Sequence, residues 1–210
     1  KWKVWMLICV SIAFHFPLSS FHSLKAQIAG LNTLEVLDLT GTARTAGLGL
    51  DYLALYSGDL TVGIDNPSLL RGDMGGTGVL SFVPMFSGSN MVSITYAHSF
   101  KTIGTVSFGF HFFNYGRFDE YDEEENHLGR FSAADYALYV GWGLWIDSNF
   151  SIGTNFKPVL SQYESYTALA LAIDLCGSYV SDNRAFAATV MVRNIGSQIL
   201  TFDQTVEQLP

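Results

Sequence analysis

The sequence predicts an all-β chain folded as a transmembrane antiparallel β-barrel, and three observations lead to that prediction. Charged residues make up only 14% of the 210 residues while 49% are hydrophobic, a charge content about half that of an ordinary soluble domain. The sequence nevertheless has no apolar run of the roughly 18 residues that a membrane-spanning helix needs. Several segments instead alternate between apolar and small or polar residues, which is the period of a strand with two unlike faces.

The first residues predict a cleaved signal peptide, residues 1–26. Two lysines precede a short apolar segment, Val4–Phe14, and the small residue Ala26 stands before the expected cut. A basic start, a short apolar core and a small residue at the cut are typical of secretory signals. The alternative, a membrane-anchoring helix, is disfavoured because the apolar run is short and Pro17 interrupts the segment after it.

Residues 27–75 predict an N-terminal hatch followed by a first strand region. Leu34–Leu48 is too irregular for a spanning strand. Asp65–Pro67 has the chemistry of a turn, and Pro67–Leu70 could begin a helical turn. We therefore expect this region to pack as a plug against the interior of the barrel.

Residues 76–210 predict the strands of the barrel. The alternating segments are Met91–Phe100, Thr105–Tyr115, Asp135–Ile146, Phe150–Lys157, Ala168–Leu175 and Phe186–Arg193. Two longer predicted loops, Arg117–Ala134 and Leu160–Thr167, alternate with short turns, as in barrels with long outer loops and short periplasmic turns. A soluble sandwich would show the same period, but the aromatic residues at the strand ends suit two interfacial girdles and favour the barrel.

Three charges fall on the small or polar faces of successive predicted strands: Lys157, Asp174 and Arg193. On the lipid face a Lys or Arg would cost about 2–4 kcal/mol near the midplane. Their position therefore supports a polar lumen. They could form a structural ion-pair ladder or a selectivity element in a pore.

The longest predicted loop carries a dense acidic run, made of Asp119, Glu120, Asp122, Glu123, Glu124 and Glu125. The run could be a calcium site, a docking surface for a basic partner, or a solvated loop. Its spacing does not match an EF-hand, which needs alternating oxygen ligands and a central glycine. We therefore keep these residues as candidate partner contacts and expect no metal site.

The sequence shows little sign of catalysis. His98, His111 and His127 could serve as bases, but no recognisable motif links a serine to any of them. We expect no enzymatic activity, no catalytic residues and no cofactor. The formal charge of -8 also makes the chain a poor candidate for binding nucleic acid.

Four segments resemble one known family. Leu37–Gly49, Asp65–Leu70, Phe131–Leu138 and Val192–Gln198 are similar in order and spacing to motifs of the PorV/PorQ outer-membrane proteins, most of all the PorQ branch. The resemblance implies a barrel of the FadL-like type with an N-terminal hatch. This chain would supply the hatch and roughly eight strands of it, and would be C-terminally truncated.

The resemblance also implies a function. The family belongs to the type IX secretion system of Bacteroidota, in which PorQ-like members hold a surface protein of the PorZ type, together with PorU- and PorV-like components of the attachment complex. We therefore expect a protein of the bacterial outer membrane that contacts membrane lipid and anchors a surface partner. The alternatives are a FadL-like transporter of hydrophobic small molecules and a soluble periplasmic β-protein.

Overall fold

The computed structural model describes residues 36–37, 39, 42, 44, 47, 54–121, 126–164 and 166–202. The predicted signal peptide, most of Leu34–Leu48, and four residues of the acidic run (Asp122, Glu123, Glu124 and Glu125) lie outside the described residues.

Seven antiparallel strands make up most of the described chain. They are β1 (Gly78–Pro84), β2 (Asn90–Phe100), β3 (Gly104–Tyr121), β4 (His127–Trp145), β5 (Phe150–Tyr163), β6 (Tyr166–Val180) and β7 (Ala187–Leu200). Each strand pairs with the next one along the chain, so the sheet is a simple meander whose edges, within the described residues, are β1 and β7. The predicted all-β antiparallel class is confirmed, and over the described residues the sheet is open.

A short non-β segment, residues 59–74, precedes the sheet and is called here the plug segment. It contains the helix α1 (Leu60–Asp65) and two 3-10 turns, Pro67–Leu69 and Gly72–Met74. Asn66 ends α1 and caps the next turn, where its side chain accepts a hydrogen bond from Ser68 N at 3.1 Å. The helical turn expected at Pro67 is therefore present, and its proline occupies the first position, where a missing N–H costs nothing.

None of the helices within the described ranges is both long and apolar enough to cross a membrane.

Two predicted loops are wrong. Arg117–Ala134 continues β3 and β4 as a paired hairpin, with Arg117 opposite Ser132 and Glu120 opposite Gly129. Its charges suggested a solvated loop, but cross-strand contacts such as the stacked rings of Phe118 and Phe131, 5.4 Å apart, are compatible with strand pairing. Leu160–Thr167 is likewise mostly strand, because β5 continues to Tyr163 and β6 begins at Tyr166, which leaves only a tight turn between them.

The sheet has two unlike faces, as the alternation predicts. The covered face, which packs against the plug segment, buries small and polar side chains: Ser93, Thr95, Ala97, Thr105, Ser107, His111, Asp135, Ala137, Ser151, Asn155, Lys157, Ala170, Asp174 and Ser178. The open face exposes large apolar ones: Leu80, Phe82, Ile94, Phe108, Leu138, Val140, Ile152, Phe156, Ile173, Leu175, Val190 and Val192. Val190 is 80% exposed and Leu80 72%, so this distribution is the reverse of that in a water-soluble sheet.

Candidate functional site

The plug segment is attached to the covered face by buried polar side chains. Asn66 is fully buried, and its Nδ2 lies 3.3 Å from both Ser178 Oγ on β6 and Thr189 Oγ1 on β7. Ser68 Oγ lies 2.6 Å from Ser178 Oγ. Each of these buried polar groups therefore has a partner, as burial requires, and the plug segment bridges two neighbouring strands.

Glycines on β4 and β5 let the plug backbone approach the sheet. A Cβ atom at Gly143 would overlap with Pro67 O, and one at Gly153 would overlap with Ser68 N. Because these two glycines have no side chain, they leave a trough in the sheet that no other residue would permit. At its end, Trp145 Nε1 donates a hydrogen bond of 3.0 Å to Leu70 O.

A buried ion pair lies on the covered face close to the plug segment. Lys157 Nζ is 2.5 Å from Asp174 Oδ2, and the two side chains are 4% and 1% exposed. Lys157 also donates to Asn194 Oδ1 at 2.9 Å, and Asn194 N donates to Asp174 Oδ1 at 2.8 Å. Asn155 Nδ2 connects this group to the plug through Ile64 O at 2.8 Å.

The structure thus brings two of the three predicted lumen charges together. Arg193 is half-buried on β7, and within the described residues its Nε has no hydrogen-bond partner. Lys157 and Asp174 satisfy each other and their neighbours, which is the condition under which a buried pair is tolerated. Their arrangement fits a structural ion pair.

The three histidines lie in different places. His111 is buried on the covered face, with its ring 4.3 Å from that of Tyr139. His98 is exposed on the open face beside Phe100. His127 lies on the hairpin, 3.3 Å from Asp119. They do not form one constellation.

A buried carboxylate that the sequence did not single out lies near the other end of the covered face. Asp135 is 2% exposed, and its Oδ2 accepts hydrogen bonds from Tyr115 Oη at 2.6 Å and Tyr163 Oη at 3.1 Å. The Tyr163 ring stacks on Phe202 at 5.2 Å. Asp135 is the first residue of the alternating segment Asp135–Ile146, so its inward direction could have been read from the strand period.

The hairpin formed by residues 116–132 projects beyond its neighbouring strands and is called here the projecting hairpin. It carries the two described residues of the acidic run. Asp119 accepts a hydrogen bond from Arg130 Nε at 2.6 Å and pairs with His127, and Glu120 lies opposite Gly129. Within the described ranges no group of three or more His, Cys, Asp or Glu side chains is placed to hold a metal ion.

A second charged group lies at the end of the plug segment, outside the strands. Arg71 Nε donates to Asp73 Oδ1 at 3.0 Å, and its guanidinium lies 4.6 Å from the centre of the Tyr56 ring. Arg184 approaches the same ring at 5.3 Å. The hydrogen bonds from Arg71 hold the pKa of Asp73 below its usual range.

Comparison with protein-family models gives no match to this chain, and a search of curated proteins gives none either. Function is therefore inferred from the two faces of the sheet, the plug segment and the projecting hairpin.

Proposed function

We propose that the chain forms part of an outer-membrane β-barrel without catalytic activity. It acts as a scaffold of the type IX secretion system that holds a PorZ-type surface protein, with PorU- and PorV-like components as further partners. The observation that supports this proposal most is the reversal of the sheet. Large apolar side chains cover its open face while the charges Lys157 and Asp174 are buried on its covered face.

A membrane gives a physical reason for that reversal. Monomeric soluble proteins rarely expose a contiguous apolar patch larger than a few hundred Å², whereas a lipid-facing barrel surface must be apolar. β5 and β6, with 14 and 15 residues, exceed the roughly 9–11 residues that a tilted transmembrane strand needs. The open face thus fits contact with hydrocarbon.

A scaffold role is supported by how the two ends of the sheet differ. The plug segment occupies the covered face and is held there by Asn66, Ser68 and the trough of glycines. The projecting hairpin instead extends past β2 and β5 and exposes aromatic side chains such as Phe118 and Tyr121, and its sequence carries an excess of acidic residues. Motif resemblance to the PorQ branch supplies the identity of the proposed partner.

The test uses a strain that lacks the full-length gene. We expect the PorZ-type protein and secreted cargo to be released into the medium, and a plasmid copy of the gene to restore their surface retention. Fractionation of the complemented strain should recover the protein in the outer membrane. Unchanged surface retention would contradict the scaffold proposal and favour a FadL-like transporter of hydrophobic small molecules.

A further inference from the structure

The projecting hairpin is a two-stranded ribbon with little support from the rest of the sheet. β2 pairs with β3 only as far as Asn114, and β5 pairs with β4 only as far as Ala133. Within the described residues, the strand residues beyond these points pair with one another, apart from one hydrogen bond that Ser132 O accepts from Glu164 N. Six residues of β3 past the bulge correspond to a projection of about 20 Å.

Among the residues that the structure describes, one edge of this ribbon has no strand paired along it. On the β3 side, the turn Phe86–Gly88 stands against the base of the hairpin near Gly116. On the β4 side, β5 turns away after Tyr163. The last contact of that turn with β4 is a hydrogen bond of 3.2 Å from Glu164 N to Ser132 O. Because backbone groups alternate in direction along a strand, the N–H and C=O of Arg130 point to the same side as Ser132 O.

The face of the hairpin that continues the covered face carries an aromatic and acidic platform. The rings of Phe118 and Phe131 stack with centroids 5.4 Å apart, and Phe118 is 44% exposed. Glu120 lies on the same face, and its Oε2 is 4.0 Å from the position of a Cβ atom on Gly129. A carboxylate beside two aromatic rings suits a lysine or arginine side chain, whose stem packs on the rings and whose charge meets the carboxylate.

The net charge of the hairpin sequence also favours a basic partner. Residues 117–130 carry six carboxylates and two guanidinium groups, a formal net charge of -4. On the opposite face Asp119 is already paired with Arg130 and His127. Glu120 therefore carries the acidic character of the platform itself, and the remaining charge attracts a basic partner over a longer distance.

We propose that the projecting hairpin binds an extended, lysine- or arginine-bearing segment of a protein partner, which adds as a strand along the β4 edge and places a basic side chain on Phe118, Phe131 and Glu120. Strand addition supplies backbone hydrogen bonds, and the platform supplies side-chain selectivity. The inference rests on the proposed scaffold function, since it assigns that scaffold a contact surface and a partner chemistry.

The direct test measures binding of a fluorescent peptide with alternating lysine and valine to the full chain in detergent, against a matched peptide with glutamate in place of lysine. We expect the lysine peptide alone to bind, and its affinity to fall about tenfold as salt rises from about 50 to 300 mM. Hydrogen exchange should show new protection of the Arg130 amide. Equal binding of both peptides, or absence of that protection, would overturn the proposal.

Variants locate the site. Glu120→Lys and Phe131→Ala should each weaken binding about tenfold. Glu120→Gln keeps the side-chain shape and should weaken binding about fivefold. Asp182→Lys makes the same change of charge in the turn after β6 and should leave binding within about twofold. Circular dichroism checks that each variant keeps its β-structure. Full binding by folded Glu120→Lys would contradict the platform.

The strain that lacks the full-length gene separates this inference from the proposed function. If a copy carrying Glu120→Lys restores surface retention as well as the unaltered gene does, the scaffold stands and the hairpin contact is wrong. If removal of the gene leaves surface retention unchanged, the scaffold itself is wrong. Loss of retention with Glu120→Lys but not with Asp182→Lys supports both.

Discussion

The plug segment and the projecting hairpin are held in opposite ways. Asn66 and Ser68 are fully buried and bond across to β6 and β7, more than 100 residues further along the chain. In the hairpin, Phe118 contacts Phe131 and Asp119 contacts Arg130, all exposed or half-exposed and all local. Long-range buried contacts fix one geometry, whereas local exposed pairs can open without disturbing the rest. The plug end is therefore held in one geometry, whereas the hairpin is able to open locally.

The largest effect should come from breaking the buried ion pair. Lys157→Met leaves the Asp174 carboxylate buried without its counter-ion, and we expect the free energy of unfolding to fall by about 3–5 kcal/mol. The expected loss lies near the lower end, because Asn194 N still donates to Asp174. Urea unfolding in detergent measures it, with Lys101→Met in an exposed turn as the control.

The double variant Lys157→Met/Asp174→Leu sharpens this test. Removing both charges should restore most of the lost stability, because an apolar pair of similar volume avoids the desolvation cost. A loss below about 1 kcal/mol for Lys157→Met alone would mean that water reaches the pair, and that the plug end is less tightly closed than the hydrogen bonds indicate.

The next effect should come from filling the glycine trough. Gly153→Val would push against the backbone of Pro67 and Ser68, and overpacking of this kind costs about 1–3 kcal/mol. Trypsin should then cleave faster after Arg71 as the plug segment loosens. Gly177→Ala is the matched control, because a Cβ there lies 3.8 Å from Ser151 O, an ordinary contact. Equal cleavage rates in both variants would contradict a close-fitting plug.

A smaller and more local effect is expected in the hairpin. Phe131→Ala removes the stacked partner of Phe118, a contribution of about 0.5–1.5 kcal/mol. Hydrogen exchange should show faster opening of the hairpin amides while those of β5 and β6 keep their protection. Faster exchange of the amides across the whole sheet would mean that opening of the hairpin is coupled to the plug end. The proposed difference in rigidity between the two regions would then be wrong.

The smallest effect concerns the pH dependence of the Arg71–Asp73 contact. Because the folded pKa of Asp73 is lowered, its contribution is complete above the unfolded value, near pH 4, and is lost as the pH falls through the folded value. Asp73 is 58% exposed, so Asp73→Asn should cost at most about 0.5 kcal/mol at pH 7. Thermal unfolding should show this difference shrinking below about pH 4, and a constant difference would contradict the assignment.

The strand rhythm could be predicted from sequence, but the limits of β3 and β4 could not. Alternation along Met91–Phe100 and Asp135–Ile146 predicts both the strands and their faces, since the side-chain period of a strand is 2. The same rule places Lys157 and Asp174 away from the apolar face. It fails at Asp119 and Glu120 because acidic residues have low strand propensity, and there the pairing depends on partners such as Phe131 across the ribbon.

The contacts of the plug segment could not be predicted from the sequence, for a different reason. The sequence predicts the turn at Asp65–Pro67. It does not predict the hydrogen bonds from Asn66 to Ser178 and Thr189, because strand register over such a sequence distance is not encoded locally. The sequence does contain one signal for the close approach of the plug segment. Gly143 and Gly153 stand on the small-residue side of adjacent strands, and glycine inside a strand often marks close backbone approach.

Trp145 gives the molecule a built-in optical reporter. Its indole donates to Leu70 O and lies edge-on to Tyr56 at 5.8 Å, so its surroundings change whenever the plug segment leaves the sheet. Trp142, on the opposite face of the same strand, donates instead to Ile103 O at 2.6 Å. The remaining tryptophans of the sequence are Trp2 and Trp5. In a variant carrying Trp2→Phe, Trp5→Phe and Trp142→Phe, a red shift in emission would therefore follow displacement of the plug in real time, without any attached dye.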